Sequence, residues 1–263
     1  MTDIFARNRM FFGSEGLERL EAAHVAVVGL GGVGAYAAEA LVRAGVGRLR
    51  VIDCDVLKAS DVNRQLLALS TNLDTPKVEA ARARLLAVNP GLDLDARHAF
   101  FHSDTADELL TPDLDFVVDA IDSLSPKAAL IRHCVEHNLP IISALGASSR
   151  TDPFAIRLTT LGRTRGCPLA RALRRYLRVR NVIADPPVLY SEEPAVETHA
   201  SEGAPPASVG AHSRGRPRRA LPSISTLPGI VGLMAANYVI FELLKQDGQP
   251  PPQNRSAGPP IGY

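Results

Sequence analysis

Short apolar runs alternate with longer amphipathic stretches through the first 150 residues of the chain. A run of about four to eight apolar residues is typical of a strand buried in a parallel sheet, and apolar residues spaced three or four apart are typical of a helix. The alternation of the two patterns predicts an α/β fold with a doubly wound, mainly parallel sheet. The predicted strands are 25–28, 48–53, 92–99, 116–120 and 141–144, and the predicted helices are 15–22, 35–44, 77–88 and 126–137.

The alternation ends after residue 150. A basic stretch predicts a helix at 168–178, and the segment 185–219, rich in Pro, Ala, Gly, Ser and charged residues, predicts a long mobile loop. The apolar stretch 227–244 is about as long as a bilayer span, but its polar residues would be costly in lipid, so we expect a buried or interface helix, with membrane contact as the alternative. We divide the chain into an N-terminal arm (1–24), an α/β domain (25–150), a C-terminal part (151–245) and a disordered tail (246–263).

Composition and charge narrow the class of protein only slightly. The chain has 263 residues and a net charge of +1, which excludes a strongly basic or strongly acidic protein as a whole. Cys54, Cys134 and Cys167 lie far apart and form no C-x-x-C pair, and an odd number of cysteines suits a reducing compartment. The N-terminus lacks the apolar segment of a signal peptide, so we expect a cytoplasmic protein.

A glycine-rich turn, GLGGVG at 29–34, joins the first predicted strand to an Ala-rich helix. Backbone N–H groups at such a turn, together with the helix N-terminus, form an anion-binding site. The spacing also matches the G-x-G-x-x-G fingerprint of dinucleotide-binding folds. The turn therefore predicts a phosphate site, and by itself it leaves NAD, FAD and ATP as possible ligands.

Charged residues further along the chain favour ATP. Asp53 ends the second predicted strand, where an acidic residue binds ribose hydroxyls of either kind of nucleotide. Arg64, Lys77 and Asp122 supply what ATP cleavage needs in addition, namely cations for the departing pyrophosphate and a carboxylate for Mg²⁺. Asp119 and Asp122 follow a predicted strand, at the sheet edge where ligands bind in open α/β folds.

The segments "GLGGVG", "VIDCDVLKASDVNRQ", "TPKVEAARARLLAVNP" and "VVDAIDS" resemble the adenylation domain of ubiquitin-activating-type enzymes. The resemblance covers about residues 5–150 and returns at 221–245, and it implies a Rossmann-like, ATP-binding adenylation domain. One departure is Asp61, where the family usually has Asn. The family also implies a homodimer, in which Arg7 reaches the ATP site of the neighbouring subunit.

The same resemblance implies roles for individual residues. Gly32 is expected to approach the phosphates, Asp53 the ribose, Arg64 and Lys77 the phosphates, and Asp122 is expected to bind Mg²⁺. The residues expected in catalysis are Arg7, Arg64, Lys77 and Asp122, and those expected to contact ATP are Gly29, Gly31, Gly32, Gly34, Asp53, Asp55, Asn63, Arg64, Gln65, Lys77, Asp122 and Ser123.

Sulfur-carrier activators in this family usually hold zinc with two C-x-x-C pairs, which this chain lacks. The stretches "CPLARALRRYLR", "VLYSEE" and "LPSISTLPGIVGLMAA" resemble a zinc-free branch that modifies tRNA. That branch implies ATP-dependent dehydration of a threonylcarbamoyl-modified adenosine in tRNA, through adenylation of its carboxylate. Thirteen arginines against six acidic residues between 150 and 219 support an RNA partner modestly.

Three alternatives to this function stay open at the level of sequence. The chain could adenylate the C-terminal carboxylate of a ubiquitin-like or sulfur-carrier protein, with a sulfur-relay protein as a partner. It could be a nicotinamide oxidoreductase, which would bind NAD tightly and leave Arg64, Lys77 and Asp122 without a role. It could also be an inactive binding module. A cysteine nucleophile has Cys167 as its most plausible candidate.

Overall fold

The computed structural model describes residues 3–195 and 221–245. Its centre is a seven-stranded sheet in the order β3-β2-β1-β4-β5-β7-β6. Neighbouring strands are parallel except for β6, which pairs antiparallel with β7 at one edge. The strands are β1 (His24–Val28), β2 (Arg48–Asp53), β3 (Asp93–His98), β4 (Phe116–Asp119), β5 (Ile141–Ala144), β6 (Ile156–Thr160) and β7 (Pro187–Ser191).

Helices cover both faces of the sheet, as a buried parallel sheet requires. One face packs on α2, α3 and α7, and the other packs on α4, α5 and α6, so the sheet separates two apolar cores. The prediction of a doubly wound, mainly parallel sheet is confirmed. The helices are α1 (Ala6–Ala22), α2 (Gly34–Ala44), α3 (Lys77–Val88), α4 (Ala106–Leu109), α5 (Leu124–Glu136), α6 (Pro168–Val179) and α7 (Thr226–Leu243).

Two sequence-based predictions of local structure are wrong. The segment 185–219 is not a loop throughout, because residues 187–191 form β7, which is buried between β5 and β6. The first helix begins at Ala6 rather than at residue 15, and Gly13, with φ of 76°, breaks it into two parts. The remainder of the predicted loop from residue 196 to 219 and the predicted tail 246–263 lie outside the described residues.

Helix α7 lies against α2 at unusually close range. A Cβ atom at Gly232 would lie 2.2 Å from the Val33 carbonyl oxygen, and one at Gly229 would touch the Tyr36 ring at 3.3 Å. By length and composition α7 could cross a bilayer, but core helices of soluble proteins pass the same test. Its inward residues are buried in the core under the sheet, in agreement with the prediction of a buried helix: Leu227, Val231, Ala235, Ala236 and Val239.

Candidate active site

The predicted nucleotide residues gather where the chain reverses its direction across the sheet. From β1 the chain proceeds outward to β2 and β3, and it then crosses back to place β4 on the other side of β1. The loops that follow β1 and β4 therefore diverge at their carboxyl ends and leave a crevice, which is where open α/β sheets bind ligands.

Three glycines of the turn are required by close backbone contacts. Gly29 has φ of 93°, and a Cβ there would lie 2.9 Å from the Ala120 carbonyl oxygen. A Cβ at Gly34 would lie 1.8 Å from the Gly29 carbonyl oxygen, so the first turn of α2 is pressed against the loop. At Gly32 a Cβ would approach Pro228 at 3.0 Å. The turn is thus held between the β4 loop and α7.

Gly31 differs from the other glycines of the turn, because a Cβ built on it would meet no atom within 4 Å. The backbone is therefore uncovered on the side where a side chain would lie. Since bare backbone N–H groups ahead of a helix N-terminus attract anions, this is the part of the turn that a phosphate can reach.

Asp53 connects the end of β2 to the glycine turn. Its Oδ2 accepts a hydrogen bond from the Leu30 amide at 2.6 Å, and its Oδ1 accepts one from the Asp55 amide at 2.8 Å. Burial raises the pKa of this carboxyl, while the charge of Lys77 and the two amide donors oppose that rise. The carboxylate is therefore fixed beside the turn, in the position that ribose-binding acids occupy in related folds.

Lys77 begins α3 and is buried against the acidic end of β2. Its Nζ lies 3.2 Å from Asp55 Oδ2, and its backbone amide donates to the Asp55 carbonyl at 3.0 Å. Burial lowers the pKa of Lys77, but the carboxylates of Asp53, Asp55 and Asp61 outweigh burial and raise it. Lys77 is thus a fixed cation at the same edge as the glycine turn.

Arg64 lies beside Gly32 on the loop between β2 and α3. A Cβ at Gly32 would come within 3.4 Å of Arg64 Cγ, so the arginine stem borders the turn. Its guanidinium donates to the Ser60 carbonyl at 2.8 Å and to Asn63 Oδ1 at 3.0 Å. The side-chain Nδ2 of Asn63 in turn donates to the Ser223 carbonyl at 3.0 Å, which attaches this loop to the segment before α7.

Asp61 is turned into its own loop. Its Oδ1 accepts from Gln65 Nε2 at 2.7 Å, and its Oδ2 accepts from the Lys58 amide at 3.0 Å. Arg64 NH2 lies 3.6 Å from Oδ1. The carboxylate that replaces the usual Asn is therefore engaged within the Lys58–Gln65 segment, where it shapes the loop that carries Arg64.

The loop after β4 separates a buried acid from an exposed one. Asp119 is fully buried, and its Oδ1 accepts from the Ile121 amide at 3.0 Å. Asp122 is exposed, and Ser123 directly precedes α5. The buried acid thus fixes the backbone of the short loop that presents Asp122 at the crevice.

Lys127, near the start of α5, has a side chain that is fully buried behind the β4 loop, so it neither lines the crevice nor faces solvent. Its ammonium donates to Asp119 Oδ2 at 2.7 Å, to Ser143 Oγ at 3.2 Å and to the Ala144 carbonyl at 2.9 Å. This network joins α5 to the carboxyl ends of β4 and β5.

Arg7 is the one predicted site residue placed apart from this group. It is exposed on the first turn of α1, and α1 packs against α7 rather than against the glycine turn. The structure therefore brings together the residues of the turn, Asp53, Arg64, Lys77 and Asp122, but within one chain it does not bring Arg7 to them.

The three cysteines are free, and the surroundings of Cys54 and Cys134 differ from those of a nucleophile. Burial, with the neighbouring charges of Asp55 and Asp53, raises the pKa of Cys54 to about 12. Burial also raises the pKa of Cys134. The buried Cys167 sulfur accepts from the Ala170 amide at the start of α6. Reactive thiols need a lowered pKa and access, so Cys54 and Cys134 do not fit that chemistry.

The arginines after residue 150 divide into structural and exposed ones. Arg174 donates to the Leu161 carbonyl at 3.0 Å, and Arg157 pairs with Glu192 at 3.0 Å. Arg150 is buried. The members of the predicted cluster at 214, 216, 218 and 219 lie outside the described residues. Exposed arginines follow one face of α6, opposite its buried leucines: Arg171, Arg175 and Arg178.

The profile of the ThiF family matches residues 5–258. The match covers nearly the whole chain, and the chain belongs to the ThiF family, the class in which an α/β nucleotide edge of this kind is expected.

Within that family the chain is similar to one group of enzymes in particular. The tRNA threonylcarbamoyladenosine dehydratase of Bacillus subtilis is 34% identical over 250 residues, which cover 93% of this chain and 96% of that protein. A crystal structure of the E. coli tRNA N6-threonylcarbamoyladenosine dehydratase with AMP has a TM-score of 0.81 and 29% identity, and the match covers 91% of this chain and 93% of that one. The same enzyme with ATP gives a TM-score of 0.80.

The carrier-protein branch is similar over a shorter length. The molybdopterin-synthase adenylyltransferase of Haemophilus influenzae is 35% identical over 138 residues, which cover 52% of this chain and 56% of that protein. The likeness to that branch is thus limited to about half of the chain, whereas the likeness to the dehydratases extends through it.

Proposed function

We propose that this protein is an ATP-dependent tRNA threonylcarbamoyladenosine dehydratase. The observation that carries the proposal is the gathering of the open Gly31 backbone, the fixed Asp53 carboxylate and the cations Arg64 and Lys77 at one sheet edge. The full-length similarity to the dehydratases supports the choice of tRNA over a carrier protein.

In the proposed reaction, a carboxylate oxygen of the threonylcarbamoyl group attacks the α-phosphorus of ATP. The bond from that phosphorus to the bridging oxygen breaks, and pyrophosphate leaves with the electron pair. A nucleophilic atom of the carbamoyl group then attacks the activated carbonyl carbon and displaces AMP. Ring closure releases one proton, and the oxygen lost from the tRNA leaves on AMP, so the net change in the tRNA is the loss of water.

The residues at the sheet edge suit the first step by their charge. Asp53 would hold the ribose hydroxyls, which places the α-phosphate over the Gly31 backbone. Lys77 and Arg64 would stabilise the negative charge that builds on the departing pyrophosphate, and fixed cations in a partly desolvated site do this more effectively than water. Asp55 and Asn63 would orient these two cations, and Gln65 and Ser123 complete the rim.

Asp122 fits the role of a Mg²⁺ ligand, because it is an exposed carboxylate held at a strand end on a loop that Asp119 fixes. Such a carboxylate can hold Mg²⁺ without enclosing it, which leaves room for phosphate oxygens and water. When bound, Mg²⁺ would neutralise phosphate charge. The hydrogen bond from the Ile121 amide to Asp119 would hold the loop in the position that this role of Asp122 requires.

For the tRNA, we propose contact with the exposed face of α6. Arg171, Arg175 and Arg178 are spaced four and three residues apart, so they project from one side of the helix. A row of exposed guanidinium groups suits the phosphate backbone of RNA. Since tRNA and ATP are both cytoplasmic, we expect the enzyme there.

The reaction is tested with purified protein and two tRNA substrates. Transcripts carrying threonylcarbamoyladenosine should lose one water in an ATP-dependent way, as mass spectrometry of the nucleosides would show, while unmodified transcripts should not change. ATP–pyrophosphate exchange should be stimulated by the modified tRNA. Stimulation by a carrier protein ending in Gly-Gly, with none by tRNA, would instead establish the carrier-protein function and its sulfur-relay partner.

A homodimer in which Arg7 acts across the interface is the second part of the proposal. The exposed position of Arg7 on α1, apart from its own nucleotide edge, is what a residue acting on a neighbouring subunit would show. An arginine directed at the triphosphate would stabilise charge in the transition state.

Mixing two inactive variants tests this arrangement. An Arg7→Ala chain combined with an Asp122→Ala chain should regain activity, because one site of the heterodimer then has both residues. Heterodimers that form, as native mass spectrometry would show, but remain inactive would contradict a trans-acting Arg7.

A further inference from the structure

Three potential metal ligands meet at the edge of the molecule opposite the nucleotide crevice. Helix α5 begins after the carboxyl end of β4 and returns toward the amino ends of the strands. His133 in its last turn and His137 at its end therefore lie far from the crevice. Asp107 approaches them from α4, and one ligand atom from each of the three residues lies within 4.8 Å of the others.

The hydrogen bonding of His137 prepares its ring for a metal. Its Nδ1 lies 2.9 Å from the His133 carbonyl oxygen. A carbonyl can only accept, so Nδ1 carries the proton and Nε2 keeps its lone pair. Metal-bound histidines commonly donate their other ring N–H to a backbone carbonyl in this way, which fixes the tautomer.

His133 is buried, and its ring lies directly against that of His137. The two imidazole rings stack with centroids 4.1 Å apart and planes at 22°, an arrangement that two protonated rings would disfavour by repulsion.

From this geometry we propose that Asp107, His133 and His137 bind a divalent first-row transition ion such as Zn²⁺. Two imidazoles and one carboxylate, with water in a fourth position, are a ligand set that suits Zn²⁺ and Ni²⁺, whereas Mg²⁺ prefers oxygen ligands. Bound at this place, the ion would connect α4 to the end of α5.

The ligand atoms already lie near the spacing that a bound ion requires. Tetrahedral Zn²⁺ with bonds of about 2.0–2.1 Å places its ligand atoms about 3.4 Å apart. Nδ1 of the buried His133 lies 3.5 Å from Asp107 Oδ1, and the side chains of Asp107 and His137 are exposed. Binding would require the two stacked rings to turn so that one nitrogen of each faces the ion.

The test measures Zn²⁺ affinity of the full-length, chelator-treated protein in competition with a chromophoric chelator. His137→Ala and Asp107→Asn remove exposed ligands and should leave the fold intact while weakening Zn²⁺ binding at least about tenfold. His102→Ala is the matched control, because His102 Nδ1 also lies 3.3 Å from a carboxylate, that of Asp104, but on a different segment. This control should bind Zn²⁺ as the parent does.

Cobalt substitution separates this site from the group of Asp53, Cys54 and Asp55, whose ligand atoms also lie within 4.8 Å of one another. The visible absorption of bound Co²⁺ should survive Cys54→Ser and disappear in His137→Ala. Affinity should fall as pH is lowered, because protons compete for both imidazoles. Equal Zn²⁺ affinity in the parent and in His137→Ala would overturn the proposal, and so would a cobalt signal that requires Cys54.

Discussion

Two lysine–aspartate pairs lie at the carboxyl ends of β2 and β4, on either side of β1, and they have opposite surroundings. Lys127 donates its three ammonium protons to Asp119, Ser143 and Ala144, all of them inside the protein. Lys77 is held at the rim among three carboxylates and pairs with Asp55, whose side chain is partly exposed. The first lysine is saturated and supports the fold, whereas we propose that the second exchanges its partly exposed partner for a phosphate.

The comparison teaches that complete hydrogen bonding to buried partners, rather than burial of the lysine or the presence of an ion pair, separates a supporting residue from one that can bind a ligand. A buried pair gains little net stability but is expensive to break, since the remaining charge has no water. A pair at a rim gives up its partner cheaply, because solvent or a ligand can replace it.

The largest expected effect comes from the exposed end of the β4 loop. Asp122→Ala should lower adenylation by about 10³-fold or more, because the loss of metal-assisted charge stabilisation is worth several kcal/mol. Its melting temperature should stay near that of the parent, as Asp122 is exposed. ATP–pyrophosphate exchange measures the adenylation rate, and differential scanning fluorimetry measures the melting temperature. Undiminished Mg²⁺-dependent exchange in the variant would contradict the assignment.

Lys127→Met tests the buried side of the comparison. Leaving Asp119 without its cation should reduce the free energy of unfolding by about 3–5 kcal/mol, measured by urea denaturation. The double variant Lys127→Met with Asp119→Asn removes both charges and should recover part of that loss. A single variant as stable as the parent would show that the network does not hold the β4 loop.

Lys77→Met tests the rim. Exchange activity should fall by about 10²–10³-fold, because one fixed cation opposite the developing charge is lost. Stability should fall less than in Lys127→Met, since the partly exposed Asp55 can be solvated, although the buried Asp53 also loses a neighbouring cation. A loss of stability comparable to that of Lys127→Met, with kcat retained, would mean that the two lysines do not differ as proposed.

Glu39 has the opposite charge arrangement to Lys77. Lys77 is one cation among several carboxylates, whereas Glu39 is one carboxylate between two arginines. It pairs with Arg84 and, at 2.7 Å, with Arg43. Burial acts to raise the pKa of Glu39, but the two arginines outweigh it and the pKa is lowered from its ordinary value of 4.5. Its contribution to stability is therefore complete above pH 4.5 and is lost as pH falls through the lower, folded-state pKa.

Glu39→Gln should accordingly cost about 1.5 kcal/mol near neutral pH, toward the low end for charged hydrogen bonds because both arginines are partly exposed. The difference from the parent should shrink as the pH of the denaturation experiment is lowered below that folded-state pKa. A difference that stays constant down to the most acidic pH at which both proteins fold would contradict the linkage.

The smallest effect on function is expected for the arginines of α6, because their side chains are exposed to solvent. Arg175→Ala should weaken tRNA binding a few-fold and reduce the slope of log K against log salt by about 1, the signature of one lost phosphate contact. Arg157→Ala, which removes an arginine already paired with Glu192, is the control and should leave the slope unchanged. Equal slopes for all three proteins would place the RNA elsewhere.

The sequence predicts β1, β4 and β5 well because they are short apolar runs, whereas β2 and β3 also carry charged residues. The predicted bounds 48–53 and 141–144 agree with β2 and β5 to the residue. Strand β7 was missed because its short apolar core lies in a segment whose composition is dominated by Pro and charge. The first part of α1 was missed because it is exposed and has little apolar periodicity.

The candidate site could be predicted only as far as its residues follow strand ends. Asp53 ends β2 and Asp122 follows β4, as the sequence predicts, because a strand terminus fixes its position in the fold, while their roles stay predictions. The burial of Lys127 could not be predicted, since a lysine one turn into an amphipathic helix is far more often solvated. Its location depends on Ser143 and Ala144, which are distant in sequence.

The close contact between α7 and α2 has a consequence for synthesis of the protein. Gly232 lets α7 pack closely against the backbone at Val33. This side of α2 is therefore uncovered until the residues near 230 have been synthesised. Contacts between such distant parts of a chain form late and slowly. The nucleotide half would therefore wait for the last helix before reaching its native packing, and until then its apolar surface would be open to chaperones.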